Sequence, residues 1–394
     1  MGKTIYTTPA GMQDLLFEES RIRRSVEKKL TELFAGRGFA EVMTPGMELY
    51  RTVAASDAAA REEDMYKLTD TCGRLLVARP DSTIPIARLA VARLRDEIFP
   101  VRLYYAQTVY ALNHGLYGRR DEEFQVGVEL LGAGGKKADL EMIALAASSM
   151  KACSGEKFRL ELGHADVFAS LIGALDVTEE IKASVRELIE NKNYAALGSL
   201  LDTLPESDEV KAIRLLPRLF GGEDVLETAL SVIRNDGARQ ALKTLRELYR
   251  SLGDLGLGDQ LMIDLGMVHR NDYYTGVIFR GYMEGSGETV LSGGRYDNLL
   301  ERYGMAMPAI GFVINVDSVT KVLQTGELSR PVPQVLIHAE AGYETAALSE
   351  AEALLADGVV CEVSPFDTPE EARAYAAARG ISRLWLVGRE EAAE

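Results

Sequence analysis

The sequence predicts an α+β protein: an antiparallel sheet flanked by helices, interrupted by a helical insertion and followed by a small α/β unit. Three observations predict it. Two long strand-like runs, VRLYYAQTVYAL and EEFQVGVELLGA, stand on either side of the polar stretch GLYGRRD, which reads as a loop between antiparallel partners. Residues 166–255 turn to the 3.6-residue period of amphipathic helices, as in EEIKASVRELIENKNYAALGSLL and ALKTLRELYRSL, with few strand signals. Beyond Arg330-Pro331-Val332-Pro333 the order becomes strand, helix, strand, helix, strand, a pattern that builds parallel pairs.

The elements follow in order. In SRIRRSVEKKLTELFAGRGF the apolar Ile22, Val26, Leu30, Leu33 and Phe34 share one helical face, and Gly36 and Gly38 stop the helix. MYKLTD and RLLVAR are short strands turning through Asp70 to Gly73, and Pro80 ends the second. Strand signals resume at QLMIDLG, VIFRGYME, ETVLSGGRYD and AIGFVINV. The last unit alternates VLIHA, YETAALSEAEALLADG, VVCEVS, TPEEARAYAAARG and RLWLVG. The expected division is therefore residues 1–325, carrying the insertion at about 166–255, and a short acidic unit at 331–394.

Composition narrows the function. A chain of 394 residues with 47% hydrophobic residues can bury a large core in two or three domains. The start, MGKTIYTTPAGMQDLL, lacks the pattern of a signal peptide, and no run approaches the roughly 18 apolar residues of a membrane helix. A cytoplasmic location without membrane contact is expected. Cys72, Cys153 and Cys361 are far apart, and His114, His164, His269 and His338 show no ligand spacing, so neither a disulfide framework nor a metal is expected. The net charge is −16, and residues 331–394 alone carry −8, which argues against a nucleic-acid partner. GAGGKKAD departs from a phosphate loop, because Lys136 is followed by Lys137 rather than a hydroxyl residue.

Four stretches carry more chemistry: RPDST (79–83), FQVGVE (124–129), DYYTG (272–276) and SGGRYD (292–297). Each sets polar groups at the end or on one face of a strand, and their glycines allow close approach of a ligand. Any one alone is more readily a turn or a capped core strand. Jointly they point to a small-molecule pocket.

In this order the stretches resemble the catalytic domain of histidyl-tRNA synthetase, a class II synthetase built on an antiparallel sheet flanked by helices. The resemblance runs from PAGMQDLL to GFVINV and includes a helical insertion. GRGFAEVMTPGMEL resembles the family's first motif, a helix and strand ending at Pro45 that implies a dimer interface. YYAQTVYALNHGLYGRRDEEFQVGVELLG resembles its second motif and AIGFVINVDSVTKVL its third. DYYTG and SGGRYD resemble its histidine-recognition segments. By this resemblance Asp81, Thr83 and Gln125 would hold the α-amino end of histidine, Glu129 and Tyr274 would bracket the imidazole, and Arg119, Tyr273, Gly293 and Gly294 would belong to the wider pocket. Asp81 departs from the family's usual glutamate, and its shorter arm weakens the grip on the amino group.

Three further departures concern ATP. The family's arginines fall here at Ala111 and Ser318, in the second and third motifs, and at His269 ahead of DYYTG. Arg270, one residue on, would face the other way on a regular strand. Without those cations the transition state of adenylation loses its electrostatic support. A synthetase-like chain that keeps the histidine pocket and loses these arginines is similar to the regulatory subunits of ATP phosphoribosyltransferase, the first enzyme of histidine biosynthesis. That likeness implies a non-catalytic chain without cofactor or tRNA, L-histidine as effector, self-association as a dimer, and a hetero-octamer with the short-form catalytic subunit. A divergent, active histidyl-tRNA synthetase is the alternative.

Overall fold

The computed structural model describes residues 6–55, 62–113, 120–268, 274–324 and 330–388. The chain divides into two compact units, the larger made of 1–15 and 19–325 and the smaller of 16–18 and 326–394. The strands are β1 (Ala40–Glu41), β2 (Met47–Leu49), β3 (Lys67–Thr69), β4 (Leu75–Ala78), β5 (Val101–Tyr110), β6 (Glu122–Leu131), β7 (Phe158–His164), β8 (Phe220–Gly221), β9 (Leu261–Asp264), β10 (Val277–Met283), β11 (Leu291–Arg295), β12 (Ala309–Asn315), β13 (Val335–Ala339), β14 (Cys361–Val363) and β15 (Arg383–Val387).

Nine strands form the main sheet in the order β1-β5-β6-β12-β11-β10-β7-β9-β8. The expected antiparallel pairing holds for β5 with β6 and for β6-β12-β11-β10-β7. The sheet is nevertheless mixed, because β1 runs parallel to β5 and β7 parallel to β9. A parallel pair needs a long crossover. For β7 and β9 that crossover is the helical block itself, from Ala165–Gly173 to Asp236–Leu252. β2, β3 and β4 form a separate antiparallel sheet, with the turn from Asp70 to Gly73 closing the β3–β4 hairpin.

Alternation along the strands gives the main sheet an apolar and a polar face. Phe124, Val126, Val128 and Leu130 of β6 and Phe312 and Ile314 of β12 face the core. Against them pack Val26, Leu30 and Phe34 of the helix Phe17–Gly36, at the expected positions, and Met142, Ile143, Ala146 and Met150 of the helix Lys136–Ser154. Phe34 meets Phe312 edge-on with ring centroids 5.9 Å apart. In the helical block, the helix Asp236–Leu252 buries Ala238, Ala241, Leu242, Leu245, Leu248 and Leu252, one stripe of a 3.6-residue period. Its first turn is capped by Asn235, whose side-chain oxygen accepts from the Ala238 amide at 3.1 Å.

The small unit is a parallel sheet in the order β14-β13-β15, with the helices Glu344–Ala356 and Pro369–Arg379 as its crossovers, as the sequence pattern requires. Thr368 and Glu371 form a capping box that spans Pro369. Among the described residues no helix is long and apolar enough to cross a membrane.

Candidate ligand-binding site

The polar face of the main sheet is written in two rows of cross-strand neighbours. One runs Leu103, Glu129, Gly311, Gly294, Ile278 and Gly163 across β5, β6, β12, β11, β10 and β7; the next runs Tyr105, Gly127, Val313, Ser292, Arg280 and Glu161. Glycines stand beside Glu129 on two successive strands. They leave a trough on the sheet into which larger groups fold.

Glu129 lies at the head of that trough and is 1% exposed. Its Oε1 accepts from Thr83 Oγ1 at 2.9 Å, and its Oε2 accepts from the Tyr296 hydroxyl. The carboxylate lies where a side chain on Gly311 would stand. The Tyr274 ring covers Gly294 in the same way: an added Cβ there would come within 2.6 Å of the ring. The Tyr105 hydroxyl occupies the space over Gly127. Each glycine is therefore needed by a polar side chain of the site.

Electrostatics set the character of the pocket. Burial pushes the Glu129 carboxyl up to about 8 against its two hydroxyl donors, which favour the charged form. Burial likewise raises Asp81 to about 6, although its Oδ1 accepts from the Ile84 amide at 2.9 Å and caps the helix Thr83–Arg93. The Tyr274 and Tyr105 phenols are raised by burial first and by the Glu129 charge second. Two carboxyls and three phenols thus share a pocket suited to a ligand that offers ring and ammonium hydrogens. At neutral pH Glu129 is mostly protonated, so it can donate to an imidazole nitrogen or release its proton to a neutral imidazole and pair with the imidazolium so formed.

Asp81, Thr83, Glu129 and Tyr274 are brought together. Gln125 faces the same side of β6, but four residues from Glu129, about 13 Å along an extended strand. It lines a separate, adjoining cavity instead. Gly293 points the other way, toward Phe312 and Phe279 of the core, so of the two glycines only Gly294 belongs to the pocket face. Arg119, Tyr273 and His269 lie outside the described residues. Tyr296 and Tyr105 are pocket residues to which sequence reasoning gave no role. Tyr296 sits inside the singled-out SGGRYD, but its bond to Glu129 joins residues 167 positions apart.

The remaining motif residues are structural. Arg79 of RPDST is 5% exposed and donates to the Thr44 and Thr108 carbonyls at 2.9 and 2.6 Å and to Gln107 Oε1 at 2.9 Å, tying β4 to β5. Arg295 of SGGRYD donates to Asp139 at 2.6 Å and to Asp297 at 3.0 Å, anchoring β11 to the helix Lys136–Ser154. The Ala111 amide donates to the Asp121 carbonyl and its own carbonyl accepts from Asn113 Nδ2 at 3.2 Å, which also donates to the Arg120 carbonyl at 2.6 Å. Ser318 Oγ donates to Glu288 Oε1 at 2.9 Å, so an acid stands beside that position.

Fold and site together define a class II synthetase-like chain. The family model for histidyl-tRNA synthetase matches residues 11–319. A Clostridium kluyveri protein named ATP phosphoribosyltransferase regulatory subunit is 39% identical over 95% of this chain and 97% of its own, and a Clostridium botulinum protein of the same name is 37% identical over 99% and 94%. The crystal structure of an ATP phosphoribosyltransferase regulatory subunit/histidyl-tRNA synthetase from Bacillus halodurans superposes with a TM-score of 0.85 at 29% identity, covering 98% of this chain and 99% of that one. A histidyl-tRNA synthetase from Nostoc, 20% identical with a TM-score of 0.78 over 98% and 92% of the two chains, shares the fold. The chain belongs to the histidyl-tRNA synthetase-like family of ATP phosphoribosyltransferase regulatory subunits.

Proposed function

We propose that this chain is the non-catalytic regulatory subunit of ATP phosphoribosyltransferase in histidine biosynthesis. It binds free L-histidine in the Glu129 pocket, joins the short-form catalytic subunit in a hetero-octamer, and both activates that subunit and passes histidine feedback to it. The names of the relatives support the partner. One observation carries the ligand: Glu129 is buried between two hydroxyl donors, beside glycines that keep the sheet open. A ring with one donor and one acceptor satisfies such a site, whereas an apolar ligand would leave buried polar groups unpaired. The absence of synthetase chemistry rests on Ala111, His269 and Ser318, none of which offers an arginine to ATP.

Calorimetry of the purified chain with L-histidine tests the ligand, with Glu129→Gln as the variant expected to lose affinity. Histidine-dependent exchange between ATP and pyrophosphate tests the chemistry. No exchange is expected, and robust exchange would establish the divergent synthetase in its place.

A further inference from the structure

A strand at the edge of a sheet carries a row of unpaired amides and carbonyls, and natural chains blunt such edges by keeping them short, charged or proline-bearing. Among the described residues, five of the six sheet edges follow that rule. β1 and β8, which end the main sheet, are two residues long; β2 and β3, which end the second sheet, and β14, on one side of the small unit, are three. β14 also carries Glu362 at its centre, which accepts from Arg330 at 3.3 Å and from the Tyr375 hydroxyl at 2.9 Å. β15, on the other side, breaks the rule. It runs for five residues, RLWLV, without lysine or proline, and its single charge, Arg383, stands at the first position over the Trp385 ring, 5.0 Å from the centroid.

The ladder shows which groups of β15 are open. The Val387 carbonyl accepts from the Glu340 amide at 2.8 Å, and so faces β13. In an extended strand the amide and carbonyl of one residue point the same way, and successive residues point opposite ways. Arg383, Trp385 and Val387 therefore serve β13, while Leu384 and Leu386 present their amides and carbonyls to the open side. The side chains there are apolar as well: Leu386 is 44% exposed, and Leu384 and Trp385 are half-buried.

The open strand is complementary to itself. Laid antiparallel about a two-fold axis at Trp385, Leu384 falls opposite the partner's Leu386 and Leu386 opposite the partner's Leu384, and each is a hydrogen-bonded pair that exchanges both of its bonds. Trp385 meets its own copy at the centre, in the position where side chains approach most closely. Arg383 falls opposite Val387, so no like charges face each other along the strand. Every residue of β15 is then in register, and a second copy supplies the whole pattern by symmetry.

We propose that β15 is a self-association edge, through which two copies of the chain pair antiparallel and join their small units into one sheet in the order β14-β13-β15-β15-β13-β14. Residues 331–394 carry −8, so two such units repel at low ionic strength, and their association strengthens as salt screens that charge. The contact uses neither the Glu129 pocket nor the stretch ending at Pro45. It is therefore independent of histidine binding and adds to any dimer formed elsewhere.

Sedimentation velocity of the full chain, over a concentration series in about 0.5 M salt, tests it. Wild type is expected to form a species of twice the mass formed by two variants. Leu386→Lys sets an ammonium group on the shared edge, and Leu386→Pro deletes an amide that β13 does not use; each should weaken association about tenfold or more. Leu386→Lys changes an exposed side chain, so its melting temperature should match wild type and exclude a damaged fold. Trp385 is the one tryptophan of the chain, so its emission should move to shorter wavelength in step with the rise in mass. A wild type that sediments like both variants at every concentration overturns the proposal and leaves the edge to a strand of another protein. Doubling that both variants retain, or that leaves Trp385 emission unchanged, overturns it too, by placing the contact elsewhere.

Discussion

The hydroxyl of Tyr296 donates to Glu129 across the full width of β12, because the strand order places β12 between β6 and β11. The bond is possible only where the intervening strand carries no side chain, and there β12 has Gly311, paired with Glu129 on one side and Gly294 on the other. β12 is thus cut to fit the Glu129 carboxyl, as β11 is at Gly294 to fit the Tyr274 ring.

Replacing Tyr296 by Phe removes one of two donors from a buried carboxyl. Histidine affinity should fall by up to about tenfold, since a hydrogen bond to a protonated carboxyl is worth roughly 0.5–1.5 kcal/mol. Thr83→Val should act in the same direction through Oε1. Calorimetry that found both variants with unchanged affinity would show that the ligand does not meet Glu129.

Gly311→Ala places a methyl group on the Glu129 carboxylate. Histidine binding should be lost, with a stability cost of about 1–3 kcal/mol for overpacking. Gly36→Ala, where no atom lies within 4 Å of the added group, should leave both properties unchanged. Urea melts and binding isotherms on the two proteins decide it, and a Gly311→Ala protein that binds normally would remove the trough from the site.

Glu129 also sets a pH dependence. Its carboxyl is raised from 4.5 to about 8 in the folded protein, so the folded state holds the proton where the unfolded chain has lost it. Its contribution to stability is full below pH 4.5 and is lost as pH rises through about 8. Asp81, raised to about 6, has the same sign, and His164, lowered to about 4, the opposite one. The difference between wild type and Glu129→Gln cancels those two: wild type should lose stability relative to the variant between about pH 4.5 and 8. Parallel curves across that window would mean that Glu129 is ionised throughout.

The buried pair of Arg295 and Asp139, 7% and 8% exposed, gives a prediction of stability alone. Arg295→Met leaves Asp139 without its cation in an apolar setting and also frees Asp297. A loss of about 3–5 kcal/mol is expected by chemical denaturation. The double variant Arg295→Met with Asp139→Leu should recover a large part of it, and failure to recover would assign the cost to packing.

What the sequence disclosed follows the range of the physics behind each feature. Val26, Leu30 and Phe34 were legible because a helix repeats its burial every three or four residues. The parallel crossovers of the small unit were legible because strand and helix signals alternate without interruption. β7, FRLELGH, went unmarked at the edge of the helical block, although Phe158, Leu160 and Leu162 alternate inward as a strand requires. The parallel pairs of the main sheet were hidden, since register between strands 63 and 101 residues apart, Ala40 with Leu103 and Leu160 with Leu261, leaves no local trace. In the site, Glu129 and Thr83 were found through motif resemblance, while Tyr296, inside a quoted motif, could be assigned only once strand order brought it to Glu129.

The final prediction joins the pocket to a partner. Histidine bound at Glu129 can control a catalytic site on another chain only if it binds two states of the assembly with unequal affinity, and substrates of the partner must then change histidine affinity by the same factor. Couplings of this kind are about 1–3 kcal/mol, or roughly 5–150-fold in apparent affinity. In the assembled complex, phosphoribosyl transfer should be inhibited by histidine, and Glu129→Gln should relieve that inhibition while the complex still forms, because a side chain 1% exposed within the chain cannot itself be a docking contact. Steady-state assays with histidine titrated at fixed substrate, alongside gel filtration of the same samples, measure both effects. An assembled Glu129→Gln complex that keeps full sensitivity to histidine would place the effector site on the catalytic chain and leave this subunit as an activating scaffold.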